Sequence, residues 1–379
     1  MKKNKRSKKS YHTMINSGGQ GCIFEPAIPC YKKSDAKSDA KSKTKDKKGP
    51  KRKNQRTVSK VSFNSKSSAR EISMNDLVRK IPDHDSWAIL WSQFCETPSY
   101  RKLVKRSDIK KCLDKKDVPR KPESHFPMLV GPFGGQTIYD MGRAKLTKSA
   151  FKTQGAFDAV LQKLIGTMKP LFEGLVALRT HKICHGDLSV RNVLVKDNKS
   201  YMIDFGLAYR YSNKTYLKKR ASFMRTIDKT YDPYPYEYIL YSSTNKQLQE
   251  ELNDMSNEDY REGHEDYVRF HEAVLGRTHV NKELEDYLDQ RIKGTIKKPS
   301  LTTLVQSIDT YSLGILIPTL LHDIALDLGV PFKTLKTRCQ KSKYKEFFSL
   351  CSTMTEFLSS NRLSPEDALQ KFQSVASVQ

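Results

Sequence analysis

No apolar segment opens this chain, and no run of about 18 apolar residues occurs anywhere in it, so neither a signal peptide nor a membrane span is expected. The seven cysteines, at positions 22, 30, 95, 112, 184, 339 and 351, form no Cys-x-x-Cys pair. Their odd number fits a reducing compartment better than a disulfide framework, and free thiols in a soluble intracellular protein are the expectation. Apolar residues are few, 37% against 29% charged, so long solvated segments are expected. Acidic side chains are also short in number, 42 against 68 basic ones, for a formal charge of +26. Much of the excess falls in MKKNKRSKK and KKSDAKSDAKSKTKDKKGPKRKNQR, which read as a basic tail over 1–10 and a disordered basic insertion over 31–57. Such segments either keep the protein in solution or attract nucleic acid and acidic protein partners. At 379 residues the chain can bury a large core, arranged as one two-lobed domain or two domains.

The stretch HGDLSVRNVLVKDNKSYMIDFG, residues 185–206, carries the densest chemistry. VLV and YMI are short apolar strands around a turn rich in Asp, Asn, Lys and Ser, so they predict a hairpin. Folding that hairpin brings Asp187 and Asn192 beside Asp204. The cluster can hold a hard cation through oxygen ligands and leave one carboxylate over as a base. The stretch resembles the catalytic and metal-binding loops of the protein kinase superfamily, whose patterns are H-R-D-L-x-x-x-N and D-F-G. Gly186 departs from the pattern, standing where most members carry arginine.

Other landmarks follow the same resemblance in chain order. Residues 11–25 read as strand, glycine turn, strand, with the pattern Asn16-x-Gly18-x-x-Gly21-x-Ile23. This resembles the loop whose backbone amides cover nucleotide phosphates, with Asn16 replacing the first glycine because Asn accepts left-handed backbone angles. RTVSKVSF alternates as a strand and places Lys60 like the lysine that holds the α and β phosphates. A helix follows over SAREISMNDLVRKI, with Glu71 as the partner of Lys60 and Asp76 as a substitute. WAILWSQFCETP and HFPMLVGPFGGQTI supply two strands, the second leading through residues 131–135 to a hinge, and the charged connection between them reads as a solvated loop or short helix. Residues 155–182 show an apolar stripe fit for one buried helix. The segment 207–236 ends in a loose match to the A-P-E triplet, with Glu237 as its acid.

Thr230, seven residues before Glu237, leans the acceptor toward serine and threonine, whereas Ser189 and Arg191 leave the choice mixed. The stretch 241–300 is charged and predicts helices by its Glu, Leu and Lys content. SIDTYSLGILIPTLL begins a buried helix whose Asp309 would brace the catalytic loop backbone. Arg362 sits where the family keeps an arginine that pairs with the acid assigned to Glu237.

The resemblance implies an α+β, bilobal protein-kinase-like fold, with a small β-rich N-lobe over 11–135 and a mainly helical C-lobe over 136–379. The implied reaction transfers the γ-phosphoryl group of ATP to hydroxyls of protein substrates, with acidic proteins or nucleic acid as the partners that basic segments attract. Catalytic roles fall to Asp187, Lys60 and Asn192, and magnesium or manganese would be held by Asn192 and Asp204. The nucleotide would lie against Asn16, Gly18, Gly21, Ile23, Lys60 and Glu71, while Asp309, Glu237, Arg362 and Thr230 support the lobe. Large insertions resemble those of serine/threonine kinases from large nucleocytoplasmic DNA viruses, iridovirus-type enzymes among them. HGDLSxxN followed by IDFGLAY also resembles aminoglycoside phosphotransferases and small atypical kinases, and a pseudokinase that acts as a basic binding module is a third reading. Because the arginine replaced by Gly186 usually pairs with a phosphate on the segment after DFG, activity is expected not to depend on phosphorylation there. Phosphatase treatment should leave the rate of phosphoryl transfer unchanged, and a loss of activity would refute this.

Overall fold

Thr, Val and Ile in short alternating runs build a sheet at the start of the chain. In the computed structural model the described residues are 11–18, 21–31, 56–114, 121–227, 234–255 and 270–376. The basic tail 1–10, most of the basic insertion, and Thr230 lie outside them. The chain divides into two compact units, Met1–Arg79 with Ile89–Phe133, and Lys80–Ala88 with Gly134–Gln379.

In the first unit, β1 (Thr13–Gly18) and β2 (Gly21–Glu25) form an antiparallel hairpin in which Gly18 faces Gly21. Next come β3 (Thr57–Ser62), α1 (Ser65–Val78) and β4 (Gln93–Glu96). Two short helices, α2 (Tyr100–Leu103) and α3 (Ile109–Asp114), then precede β5 (Pro127–Pro132). The strand order is β1-β2-β3-β5-β4, so β3 is central, and all of its residues after Thr57 are buried. Helix α1 starts at Asn64, whose side chain accepts a hydrogen bond from the Ser67 amide at 3.1 Å, a standard N-cap.

Of the two readings of the charged connection between β4 and β5, a solvated loop or a short helix, its described residues follow the second, and these helices are packed rather than solvated. Leu103, Ile109, Cys112 and Leu113 are at most 3% exposed and pack with Cys22, Phe24, Val61 and Met128 into one core. Each buried aliphatic side chain there contributes about 1.5–3 kcal/mol. The expectation of seven free thiols also fails in this unit, because Cys22 is bonded to Cys112 and Cys30 to Cys95. The partners lie 90 and 65 residues apart, and only the fold brings them together, so spacing along the chain carried no sign of them. Cys184, Cys339 and Cys351 are free and buried. Cysteine usage therefore gives no argument for a reducing compartment.

The second unit begins its main run with β6 (Gln136–Thr137) and α4 (Ile138–Lys145), capped by Thr137. The single helix expected over 155–182 is two, α5 (Gln154–Ile165) and α6 (Lys169–Thr180). Gly166 caps the first, and Pro170 stands in the first turn of the second, where a missing amide costs nothing. The apolar stripe runs across the break because both helices are buried. After them come β7 (Ile183–Cys184), β8 (Val193–Lys196), β9 (Lys199–Met202) and β10 (Tyr209–Arg210). Strands β6, β8 and β9 form one small sheet, and β7 pairs with β10. Helices α7 (Lys214–Ile227) and α8 (Tyr236–Ile239) follow.

Within the charged stretch, α9 (Asn245–Asp254) and α10 (Val280–Ile292) are helical as expected, and residues 256–269 lie outside the described part. Their apolar faces meet through Leu248, Leu284, Tyr287 and Leu288. The core helix is α11 (Leu301–Asp327), long and apolar enough to cross a membrane, but 89% of its apolar window is buried inside the protein. Around it pack α12 (Phe332–Gln340) and α13 (Lys345–Met354), and α14 (Pro365–Ala376) packs on α13 and α6.

A bridge that closes a loop of this length removes much of the unfolded chain's freedom. Replacing Cys22 and Cys112 together by serine is expected to lower the unfolding free energy by about 2–4 kcal/mol, seen as a lower urea midpoint. Reducing the wild-type protein should lower the midpoint at least as far, and an unchanged midpoint in both cases would show that the bridges do not stabilise the unit.

Candidate active site

The first unit holds a buried ion pair. Lys60 on β3 places its Nζ 2.9 Å from Glu71 Oε2 on α1, and the two residues are 6% and 1% exposed. Glu71 is held from its other side, since Trp91 Nε1 donates to Oε1 at 2.5 Å. Asn75, one turn further along α1, donates to the Glu71 carbonyl at 2.7 Å and accepts from the Trp91 amide at 2.8 Å. Glu71, not Asp76, is thus the partner of Lys60, and Asp76 pairs with Arg79 at the surface. Trp91 and Asn75 escaped the sequence reading. The i, i+4 spacing of Glu71 and Asn75 was a usable sign, but nothing local marked Trp91.

Beside this pair lies the glycine hairpin. Ile23 is opposite Lys60 across the β2–β3 ladder. Gly21 is required by the neighbouring strand, because a Cβ there would stand 2.2 Å from the Val61 carbonyl oxygen. Gly18 has open space at that position. Asn16 does not use a left-handed backbone; it lies in the ladder opposite Ile23, next to a bulge, and its side chain accepts from the Ser17 amide at 2.7 Å. Two-on-one pairing at the bulge, rather than φ tolerance, is what its position demands.

The second unit, by itself, holds the loop and hairpin of residues 185–206. β8 and β9 pair from Val193–Met202 to Lys196–Lys199, and the turn residues Asp197 and Asn198 both have positive φ, 51° and 58°. That is the turn chemistry that matches strand twist in a tight hairpin, and it brings the two ends of the hairpin together. The Ile203 amide donates to the Asn192 carbonyl at 3.0 Å, so Asp204 follows directly on a residue bonded to Asn192. Asn192 Nδ2 donates to Asp187 Oδ2 at 2.9 Å and to the Asp187 carbonyl at 2.8 Å. Asp204 has φ 61° and ψ 67° and accepts from the Gly206 amide at 3.3 Å.

Asp309 braces this loop from α11. Its two carboxylate oxygens accept from the His185 amide at 2.6 Å and the Gly186 amide at 2.9 Å. The His185 ring donates through Nε2 to the Ile203 carbonyl at 3.0 Å and lies against Phe205. Tyr234 donates its hydroxyl to the Gly186 carbonyl, and Arg220 on α7 donates to that hydroxyl at 3.1 Å. Burial pushes the Tyr234 hydroxyl well above its ordinary pKa, against the opposing pull of the Arg220 guanidinium, so it stays a protonated donor. Neither residue stood out in the sequence. Burial likewise raises the Cys184 thiol, beside Asp309, and keeps it protonated.

The donor set suits a hard cation. With Nδ2 turned to Asp187, Asn192 keeps its Oδ1 for a ligand, and Asp204 adds a carboxylate. Among the described residues no group of three His, Cys, Asp or Glu side chains could hold a metal by itself. Magnesium accepts such sparse protein ligation, since it keeps several waters and takes substrate phosphates.

Glu237 and Arg362 form a second buried pair, 3.4 Å apart with side chains 3% and 0% exposed. Glu237 also accepts from the Ser359 amide at 2.7 Å, and Arg362 donates to Ser307 Oγ at 3.0 Å and to the Glu356 carbonyl at 2.6 Å. Thr230, the remaining supporting residue of the sequence reading, lies outside the described residues. Removing one partner of such a pair strands the other charge in the interior. Arg362→Ala is expected to cost about 3–5 kcal/mol of unfolding free energy, and a loss below 1 kcal/mol in urea titration would show that the pair is not desolvated.

A family model for protein tyrosine and serine/threonine kinases matches residues 38–230, just over half of the chain. No curated protein matches it. The matched stretch contains Lys60, Glu71, Asp187, Asn192 and Asp204, and a β-sheet unit followed by a helical one is the architecture of that family's bilobal fold. The chain belongs to the protein tyrosine and serine/threonine kinase family.

Proposed function

We propose that this kinase uses ATP with magnesium or manganese and phosphorylates serine and threonine hydroxyls of protein substrates. The observation that carries the reading is the linked set Asp187, Asn192 and Asp204 at the mouth of one hairpin, with Asp187 and Asn192 joined by hydrogen bonds. Asp187 accepts or aligns the proton of the acceptor hydroxyl. Asn192 and Asp204 would hold the metal, which when bound neutralises charge on the transferring phosphates. Lys60, kept in place by Glu71 and Trp91, orients the α and β phosphates. Little covalent chemistry falls to the protein, so positioning and charge supply most of the rate. The serine and threonine preference rests on Thr230. Against it stand Ser189 and Arg191, whose guanidinium lies 4.9 Å from the centroid of the Tyr139 ring.

The basic segments favour acidic protein substrates, with nucleic acid as the competing partner. The large insertions support a place among kinases of large nucleocytoplasmic DNA viruses, acting as a soluble protein inside the host cell or in the virion. Asp309 and Arg362, each engaged as in a complete kinase lobe, favour protein over small-molecule acceptors. Asp187→Ala is expected to lower phosphoryl transfer by about 10²–10⁴-fold while leaving the thermal shift produced by magnesium and ATP nearly intact. A radiolabel assay on acidic and basic protein substrates, followed by phosphoamino-acid analysis, checks it. Activity retained in the variant would sink the mechanism, label only on tyrosine would sink the acceptor, and no transfer by the wild type would favour a pseudokinase.

A further inference from the structure

Gly186 is the weak point of the loop that carries Asp187. Its φ is +68°, and a Cβ there would stand 2.8 Å from the Tyr209 ring, so the site excludes a side chain both by conformation and by space. Glycine leaves the backbone free to rotate on either side of its α-carbon, and a rotation there would swing the Asp187 carboxylate away from its place. Contacts on both sides oppose that rotation. On the N-terminal side, the Gly186 amide is held by Asp309 Oδ1 at 2.9 Å. On the C-terminal side, the Gly186 carbonyl belongs to the peptide that leads into Asp187, and it accepts the Tyr234 hydroxyl.

Tyr234 is itself fixed. It is 3% exposed, its ring lies 5.5 Å from that of Tyr238, and its hydroxyl oxygen accepts from Arg220 at 3.1 Å. The Arg220 Nε is buried and makes no hydrogen bond among the described residues.

We propose that Arg220 and Tyr234 are positioning residues, a hydrogen-bonded latch from α7 through Tyr234 to the Gly186 carbonyl that restrains the glycine and so holds Asp187 in its working geometry. The latch needs no phosphate, because its links are a hydroxyl, a guanidinium and a carbonyl. It rests on the reading of Asp187 as the residue that meets the acceptor hydroxyl.

The latch predicts a split between rate and nucleotide affinity. Tyr234→Phe keeps the ring and removes the donor, so kcat should fall about tenfold while KM for ATP stays within about twofold of wild type. Arg220→Ala should fall similarly, Arg220→Lys should recover part of the loss, and the double variant should be no worse than Tyr234→Phe alone, because the residues act as one chain. Wild-type kcat in Tyr234→Phe, a parallel rise in KM, or losses that multiply in the double variant would overturn the latch. Hydrogen exchange separates this from the kinase reading. If the wild type transfers no phosphate, that reading fails, yet faster exchange of the 185–188 amides in Tyr234→Phe, at an unchanged melting temperature, would still support the latch. Unchanged exchange would overturn it.

Discussion

One buried carboxylate holds the loop that begins at His185, and much of the second unit is arranged to put it there. Asp309 is 8% exposed and spends both oxygens on successive backbone amides, those of His185 and Gly186. Hydrogen bonds from amides to an ionised acceptor are roughly twice as strong as neutral ones, and burial removes the water that would compete for them. The cost is desolvation of a charge, offset only while both amides stay in place. α11 must therefore stay in place, and burial along nearly its whole length seats it in the core.

From that anchor the loop is built outward by short-range contacts. The His185 ring reaches the Ile203 carbonyl, Asn192 reaches Asp187, and the β8–β9 ladder sets the separation between the two ends of the hairpin. Glycine at position 186 would weaken such a loop by its freedom to rotate, and the chain compensates with contacts to the main chain on both sides of it. In the first unit the same logic governs Lys60. A lone ammonium in a central strand would be costly to bury, and Glu71, itself gripped by Trp91, offsets part of that cost.

Much of the site was legible because its residues are tied to local geometry. A hairpin has a fixed span, so the residues flanking VLV and YMI had to meet, and a helix after a strand places an acid near a strand lysine. The pairs Glu237–Arg362 and Asp309 with His185 were legible only through family resemblance, since residues more than 120 positions apart leave no periodic trace. Both cystine bridges, Trp91 and the Arg220–Tyr234–Gly186 chain left none either. The break at Gly166 was hidden for a different reason: both helices are buried, and burial keeps the apolar pattern running through the turn.

By itself the sequence determined the hairpin, the glycine turn, the strand lysine and the order of sheet before helices, because each follows from backbone preferences acting over a few residues. Tertiary structure alone decided which cysteines pair, what grips Glu71, why Gly21 admits no side chain and how Gly186 is restrained. Those outcomes depend on distances between segments remote in sequence, and such distances are set by core packing rather than by the preferences of any one segment.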